Sequence, residues 1–577
     1  MMTGWSKRKS GRTCGGAGAL AVWAVLAGVP VCPAEADELR GLWADAFYQG
    51  FKSTSQIDTL VSRAVTGRYN AIFAEVLAYQ DTGSGGHGAY WNSAIVPKAT
   101  DISGGIDPLA YLVQQAHASG LEVHAWLVPY RVSTSWPPNG NAYLAARPQW
   151  IMVPLADMDT GPATIDGKYN LDPGSPEVQT YLVSIVRELV TNYAIDGMHW
   201  DYIRYLDTDA GYPAHAWYGQ SGLERFRAIY AYGGTPPVDY GPWNDFRRRE
   251  INELVRRALV EVHTNEANPQ QPLRHTAALL ATGDAPANFA DSLAYTLFQD
   301  WKTWMQKGWL DAGCPMNYKR EHCTDEAAWF RDWVTAALNW SYDRHVFCGQ
   351  ALYLNSFADS VTQMSYAYGQ GVEGSVNFSY YATRATETIC DANDPWTNDP
   401  AWYSYVAANL FTAPATHPAM SWHDPTAATK GAVYGRIADG ATGQPIDNAT
   451  FEINGFPAAQ VDGNGFYVVT QLSAGPTGTM VPTSAVAPGY AEVFRPAVLV
   501  ERAGFTEVNF ALGTWLPGDY DVDADVDLDD YAHFASCLTG PGQGPLAAGC
   551  DVFDFDADAD VDLKDYQVLQ DSFTWAP

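Results

Sequence analysis

The sequence predicts a (β/α)8 barrel, followed by a small all-β sandwich and a small helical module with two acidic loops. Three observations predict this. Eight short β-branched or aromatic runs alternate with amphipathic stretches between Arg40 and Thr383. A later block of alternating strands is broken by Asp-Gly, Thr-Gly and Asn-Gly turns. An aspartate-rich segment then occurs twice. The 577 residues exceed what one hydrophobic core can organise. A hydrophobic content of 47% with 17% charged residues suits packed domains rather than a disordered chain. The net charge of -31 argues against nucleic-acid or anionic-membrane partners.

In chain order, Lys7, Arg8, Lys9 and Arg12 precede an apolar run from Ala17 to Val31 and then Ala34-Glu35-Ala36. That order predicts a secretory signal peptide over residues 1–36 and an exported protein, extracellular, cell-surface or periplasmic. The run is shorter than the roughly 20 residues a membrane span needs, and no later segment is apolar enough. The barrel is expected over 37–411. Its eight strands are RGLWAD (40–45), NAIFAEVL (70–77), EVHAWLVPYR (122–131), GMHWDYIRY (197–205), RHTAALLA (274–281), DAGCPMNY (311–318), HVFCGQALYL (345–354) and GSVNFSYYAT (374–383). Val178, Leu182, Ile185, Val186, Leu189 and Val190 recur at helical spacing between two of them. No glycine-rich phosphate loop follows the first strand, which disfavours a doubly wound open sheet.

A linker rich in Ala, Thr, Pro, His and Ser is expected over 412–430 and the β-sandwich over 431–513. The sandwich block resembles the carboxypeptidase regulatory-like module, which implies spacing or weak binding. Beyond the leader, six cysteines remain, an even number that permits disulfides in an exported chain. Cys537 and Cys550 bracket a Gly/Pro-rich loop and are the expected pair. Cys314, Cys323, Cys348 and Cys390 allow three pairings, or buried thiols.

The helical module, 514–577, contains DYDVDADVDLDD and DFDADADVDLKD. Oxygens recur at loop positions one, three, five, nine and twelve, the intervals at which a loop wraps Ca2+, with a backbone carbonyl at seven. The first set is Asp519, Asp521, Asp523, Asp527 and Asp530 with the carbonyl of Asp525. The second is Asp554, Asp556, Asp558, Asp562 and Asp565 with the carbonyl of Asp560. Val526 and Val561, both at position eight, are expected to couple the loops. Position six, usually Gly for a sharp turn, is Ala524 and Ala559. Paired loops with aspartate at position twelve resemble a dockerin, which implies a cohesin-like or cell-surface protein partner.

Chemistry on such a barrel sits at the C-terminal ends of the strands. Asp45, Glu75 and Asp201 lie at or near those ends, and Glu321 falls just beyond the sixth strand. Glycoside hydrolysis needs two carboxyl groups across the scissile bond, and this inventory supplies them. Nearby candidates for stacking on sugar rings or binding hydroxyls are His124, Trp126, Tyr130, Arg131, Trp200, Tyr202, Arg204, Asn317, Tyr318, Tyr380 and Tyr381.

The runs RGLWAD, HAWLVPYR, RPQW, LDPGSPEV, DGMHWDYIRY, QDWKTWMQKGWLDAGCPMNY and VNFSYY resemble the signature segments of the glycosyl hydrolase-like ten family across about Leu39 to Thr383. The resemblance implies an exported bacterial TIM-barrel protein that cleaves a polysaccharide, some members acting on peptidoglycan strands stripped of their peptides. Asp201, Tyr202 and Arg204 match the family's DYIRY segment. Asp201 is the expected nucleophile or general base, Glu75 the expected general acid, and Glu321 the reserve. Asp45 ranks next, and equally suits a substrate hydroxyl. Family members often carry Gln at position 75 and Asn at position 128, where this chain has Glu75 and Val128, which keeps a non-catalytic glycan-binding barrel as the alternative. A metal-dependent deacetylase is disfavoured, because the twelve histidines offer no H-x-x-x-H or similar pair on the barrel face. A purely structural calcium-bound scaffold leaves the strand-end acids unexplained.

Overall fold

The computed structural model describes residues 36–158, 160–213, 222–265, 272–390, 395–513, 518–520, 526–547 and 549–573. All but the last residue of the expected leader lies outside the described residues, as do Asp521, Asp523 and Asp525 of the first acidic loop. Among the described residues no helix is long and apolar enough to cross a membrane.

Eight parallel strands close into a barrel in sequence order. They are β1 (Leu39–Ala44), β2 (Ala71–Leu77), β3 (Glu122–Leu127), β4 (Gly197–Trp200), β5 (Arg274–Leu280), β6 (Ala312–Met316), β7 (His345–Ala351) and β8 (Gly374–Phe378). The helices between and after them include α1 (Thr54–Thr66), α2 (Pro108–Ala118), α3 (Pro176–Asn192), α4 (Gly241–Thr264), α5 (Trp301–Lys307), α6 (Thr324–Asn339), α7 (Phe357–Gln370) and α8 (Ala401–Asn409). The start of α3 shows why a helix forms there. The Ser175 side chain caps the Val178 N–H, Pro176 occupies the first turn, and the expected apolar stripe is buried.

Several strands are shorter than the sequence suggested: β6 ends at Met316, β7 at Ala351 and β8 at Phe378, and β3 and β4 also stop early. β3 stops at Leu127, and Arg131–Ser133 joins a separate three-stranded sheet. β4 stops at Trp200, because Tyr202 adopts a left-handed φ of 50° that no strand tolerates.

Alternation along each strand decides what faces the barrel axis. Leu39 and Trp43 of β1, Ala71 and Phe73 of β2, and Trp126 of β3 share one interior core with Cys314, Phe347 and Val376. Gly41 must lack a side chain, since a Cβ there would meet Phe73 at 2.8 Å and Val376 at 2.9 Å. Continuing the same alternation past the core brings Asp45, Glu75 and Asp201 to the C-terminal mouth.

The sandwich consists of β9 (Lys430–Asp439), β10 (Thr450–Ile453), β11 (Phe456–Gln460), β12 (Phe466–Ser473), β13 (Thr479–Val486), β14 (Val493–Val500), β15 (Phe505–Glu507) and β16 (Phe510–Leu512). One sheet runs β12-β9-β15 with β16 also on β9; the other runs β11-β10-β13-β14. Val433, Phe451, Tyr467 and Phe510 fill the space between them. Arg225 fixes this unit to the barrel, pairing with Glu250 of α4 at 2.5 Å and Asp447 at 2.7 Å.

In the last module, α9 (Leu528–Cys537) and α10 (Leu563–Ser572) each begin with an aspartate capping box. Val526 and Val561 meet Phe534, Phe553 and Leu569 in one small core. Cys537 is bonded to Cys550 and Cys323 to Cys390, while Cys314 and Cys348 are buried thiols.

Candidate active site

The C-terminal mouth of the barrel opens into a cavity of about 500 Å³ lined by Asp45, Glu75 and Asp201, by Arg131 and Arg204, and by aromatic rings. Its floor is Trp43. The Trp43 indole N–H donates to His199 Nε2 at 3.1 Å, and His199 Nδ1 lies 2.8 Å from the Thr276 hydroxyl. Burial holds the His199 pKa well below its ordinary value, so the ring is neutral and carries its proton on Nδ1.

Glu75 ends the inward-facing row of β2. Its Oε2 accepts the Ala46 N–H at 2.8 Å. Burial, reinforced by the Asp45 and Asp201 carboxylates, pushes its carboxyl up to about 8 against the pull of that N–H and of Arg131. Asp201 follows β4 directly. Its own N–H donates to the Leu127 carbonyl at 2.9 Å, and its Oδ1 accepts the Tyr202 N–H at 2.7 Å. Burial raises the Asp201 pKa, but Arg204, the Tyr202 N–H, Arg131 and the Trp126 indole all oppose the rise. Of these two buried acids, Glu75 is the one pushed up to about 8, while Arg204 and Arg131 favour the charged form of Asp201. Asp45 accepts the N–H groups of Phe47 at 3.1 Å and Tyr48 at 3.3 Å, and burial raises its pKa as well.

The positive φ of Tyr202 turns its ring between two guanidinium groups, Arg131 at 4.4 Å and Arg204 at 4.3 Å. Arg131 Nε and Arg204 Nη1 are buried with no hydrogen-bond partner among the described residues.

Trp126, Arg131, Tyr202, Arg204 and Tyr318 of the expected substrate contacts line the cavity. Tyr381 does not; it stacks on Tyr48 at 4.8 Å, and Tyr48 is the lining ring. Four other expectations are corrected. His124 faces the barrel axis one layer below Trp126, completely buried, stacked on Phe73 at 4.2 Å with Nε2 at 3.1 Å from Glu122. Asn317 has the opposite parity to Met316 and Tyr318, so it points outward and donates to the Phe330 carbonyl of α6 at 2.8 Å. Tyr130 lies past the end of β3 in the core between barrel and helices. Glu321 is off the cavity, held by Arg331 at 2.6 and 3.1 Å, with its own N–H bonded to Asn355. Glu321→Gln is accordingly expected to keep turnover within about twofold of the parent and to cost about 1 kcal/mol or less in a denaturant titration.

Trp43, Phe47, Tyr48, Tyr353, Phe378, Ser379 and Trp396 also line the cavity and were not singled out by the sequence. Phe47 and Tyr48 follow Asp45 directly on the first loop of the C-terminal face, which was the available signal. Trp396 arrives from beyond the last barrel strand and packs edge-on to Tyr48 at 5.5 Å, with no local signal at all.

In the C-terminal module, ligand-type oxygens of Asp554, Asp556 and Asp565 lie within 4.8 Å of one another. Asp565 also accepts the Phe555 and Asp562 N–H groups at 2.7 and 2.8 Å, and Asp530 does the same for Tyr520 and Asp527 at 2.5 and 2.9 Å. Ala559 at loop position six holds a φ of 69°, so the sharp turn usually made by glycine forms here with alanine. The donors present fit a hard, oxygen-seeking cation. Lys564 bonds Asp556 and Asp558 at 3.1 and 2.9 Å, a countercharge that calcium would displace.

A closed parallel barrel with paired acids among aromatic faces at its C-terminal mouth is the arrangement of a glycosidase-type barrel. Residues 38–366 match the family described as Glycosyl hydrolase-like 10, and the chain belongs to that family. Glycosyl hydrolase DigH of Escherichia coli (strain K12) is 29% identical over 249 residues, 40% of this chain and 52% of that protein. Glycosyl hydrolase YngK of Bacillus subtilis (strain 168) is 25% identical over 383 residues, 59% of this chain and 65% of that protein. The chain thus spans about half the length of the first of these relatives and just under two thirds of the second. Among solved structures, the PgaB (BpsB) glycoside hydrolase domain from Bordetella bronchiseptica is 14% identical with a TM-score of 0.44, covering 60% of this chain and 94% of that one.

Proposed function

We propose that this protein is an exported glycoside hydrolase that cleaves a polysaccharide with Glu75 as general acid and Asp201 as nucleophile or general base. The observation that carries the reading is that these two buried acids line one aromatic cavity in unlike surroundings, Glu75 pushed up to about 8 and Asp201 opposed in its rise by Arg204 and Arg131. A glycosidic oxygen leaves as an alcohol only if it receives a proton, and Glu75 holds one at neutral pH. The sugar ring gathers positive charge as the bond breaks, and the Asp201 carboxylate stabilises or captures it. Trp43, Trp126 and Tyr318 supply faces for the ring, and Asp45 accepts from a hydroxyl. The family resemblance makes glycan strands stripped of peptides the first substrate to test. Release of new reducing ends from such strands, beside plant and algal polysaccharides, tests the reading; a chain that binds glycan and releases nothing is a lectin-like barrel instead.

The C-terminal module is proposed to take calcium on its two loops and to dock the enzyme to a cohesin-like or cell-surface protein. Calorimetric titration of the intact chain is expected to show about two Ca2+ sites. Calcium removal is expected to expose 554–565 to proteolysis while leaving turnover on soluble glycan unchanged. Absence of calcium uptake sinks this assignment and leaves the barrel chemistry standing.

A further inference from the structure

Opposite the cleft, at the N-terminal face of the barrel, three chain segments distant in sequence bring together two imidazoles and a carboxylate. His263 comes from the end of α4, Asp311 directly precedes β6, and His423 lies in the segment joining barrel and sandwich. Their ligand-type atoms all lie within 4.8 Å of one another. His263 Nε2 is 3.3 Å and His423 Nε2 is 2.7 Å from the two Asp311 oxygens, and the three side chains are 3, 10 and 2% exposed respectively.

We propose that His263, Asp311 and His423 form a binding site for a divalent transition metal, zinc by donor chemistry, which fastens the joining segment to the base of the barrel. Two imidazoles and a carboxylate are a nitrogen and oxygen set that zinc takes, with a fourth position left for water. Zinc bonds of about 2.0–2.1 Å in a tetrahedron separate neighbouring ligand atoms by roughly 3.3 Å; His263 and Asp311 already have that spacing, while His423 and Asp311, at 2.7 Å, must exchange a hydrogen bond for the ion and part slightly. The outer layer is also built. The Trp422 indole N–H donates to Asp311 Oδ1 at 2.7 Å and the His275 backbone N–H to Oδ2 at 2.8 Å, which fixes the carboxylate's orientation. The His263 ring lies 4.1 Å from that of His423 and 5.6 Å from Phe505 of β15, so all three parts of the chain meet at the site.

Access and charge are consistent with a cation. His423 borders a cavity of about 420 Å³ that also presents the Glu122, Asp196 and Asp424 carboxylates. Arg274 lines the same cavity, and Arg344 stacks on Trp422 at 4.5 Å, so the acids must outweigh two guanidinium groups. The position fits a stabilising role, because the N-terminal face of such barrels serves stability rather than chemistry. The site stands independently of the hydrolase reading.

The test uses the full chain, stripped with a chelator and returned to excess calcium so that the aspartate loops are filled. Titration with Zn2+ is expected to show about one further equivalent, and Co2+ to give the visible absorption of a four-coordinate site. The zinc-loaded parent is expected to melt several degrees higher than the stripped one. His423→Ala, in the joining segment, is expected to lose both the extra equivalent and the shift. Should that variant fail to fold, His423→Gln and the parent's own titration decide. A parent that takes up no zinc above the calcium-filled background leaves a hydrogen-bonded His-Asp-His triad and overturns the proposal. Uptake that is unchanged in His423→Ala and His263→Ala overturns it equally.

Discussion

Asp201→Asn is expected to lower kcat/KM by about 10³-fold or more while the barrel melts as the parent does. The substitution is nearly isosteric, and the amide oxygen can still accept the Tyr202 N–H that now reaches Oδ1 at 2.7 Å. The backbone bond from residue 201 to Leu127 is untouched. What disappears is a carboxylate whose charged form Arg204 and Arg131 favour against burial. Without it, the positive charge on the sugar at the transition state has no partner, whereas ground-state stacking on Trp126 and Tyr318 is retained. KM should therefore move little and kcat should carry the loss, which steady-state kinetics on a soluble glycan will show.

Glu75→Gln is expected to cost about 10²–10⁴-fold on natural glycans, and far less on aryl glycosides whose leaving group needs no proton. In the parent, the acid form of Glu75 is the active one, so kcat/KM should fall as pH rises through about 8. That alkaline limb should be absent in Glu75→Gln. The parent's stability should fall with rising pH as well. Glu75 has its folded pKa raised from 4.5 to about 8, so its contribution is complete below 4.5 and is lost as pH rises through 8. Removing the ionisable group should make Glu75→Gln more stable than the parent at alkaline pH, on the order of 5 kcal/mol for the full shift. A catalytic acid kept protonated by burial is a strained feature, and the variant trades activity for stability.

Much of the barrel was legible because strand alternation is a simple code. The eight apolar runs identified the eight strands, and the spacing 41, 43, 45 and 71, 73, 75 placed Asp45 and Glu75 on the same interior surface as Trp43 and Phe73. The same code, applied more strictly, would have removed Asn317, whose neighbours Met316 and Tyr318 face inward. His124 fails for another reason. It has the right parity but lies two residues, about 6–7 Å, deeper than Trp126, and depth along a barrel axis depends on strand stagger that no single segment encodes.

Glu321 illustrates a different limit. It follows a strand on the correct face of the fold, yet Arg331 on α6 captures it, and that partner is set by helix packing. Trp396 and Tyr353 reach the cavity through loops, where no periodicity announces orientation. The disulfide between Cys323 and Cys390 likewise joins loops 67 residues apart. The His263–Asp311–His423 cluster has no signature in the sequence because its members come from a helix end, a strand start and a joining segment, with no shared spacing.

The most direct measurement is product analysis on peptide-free glycan strands, parent and Asp201→Asn side by side, with glycan binding followed in the same samples. New reducing ends from the parent alone, with both proteins binding, is the outcome the paired acids require. Equal binding with no cleavage by either protein, or equal cleavage by both, would mean that this mouth of the barrel does not break glycosidic bonds through Asp201.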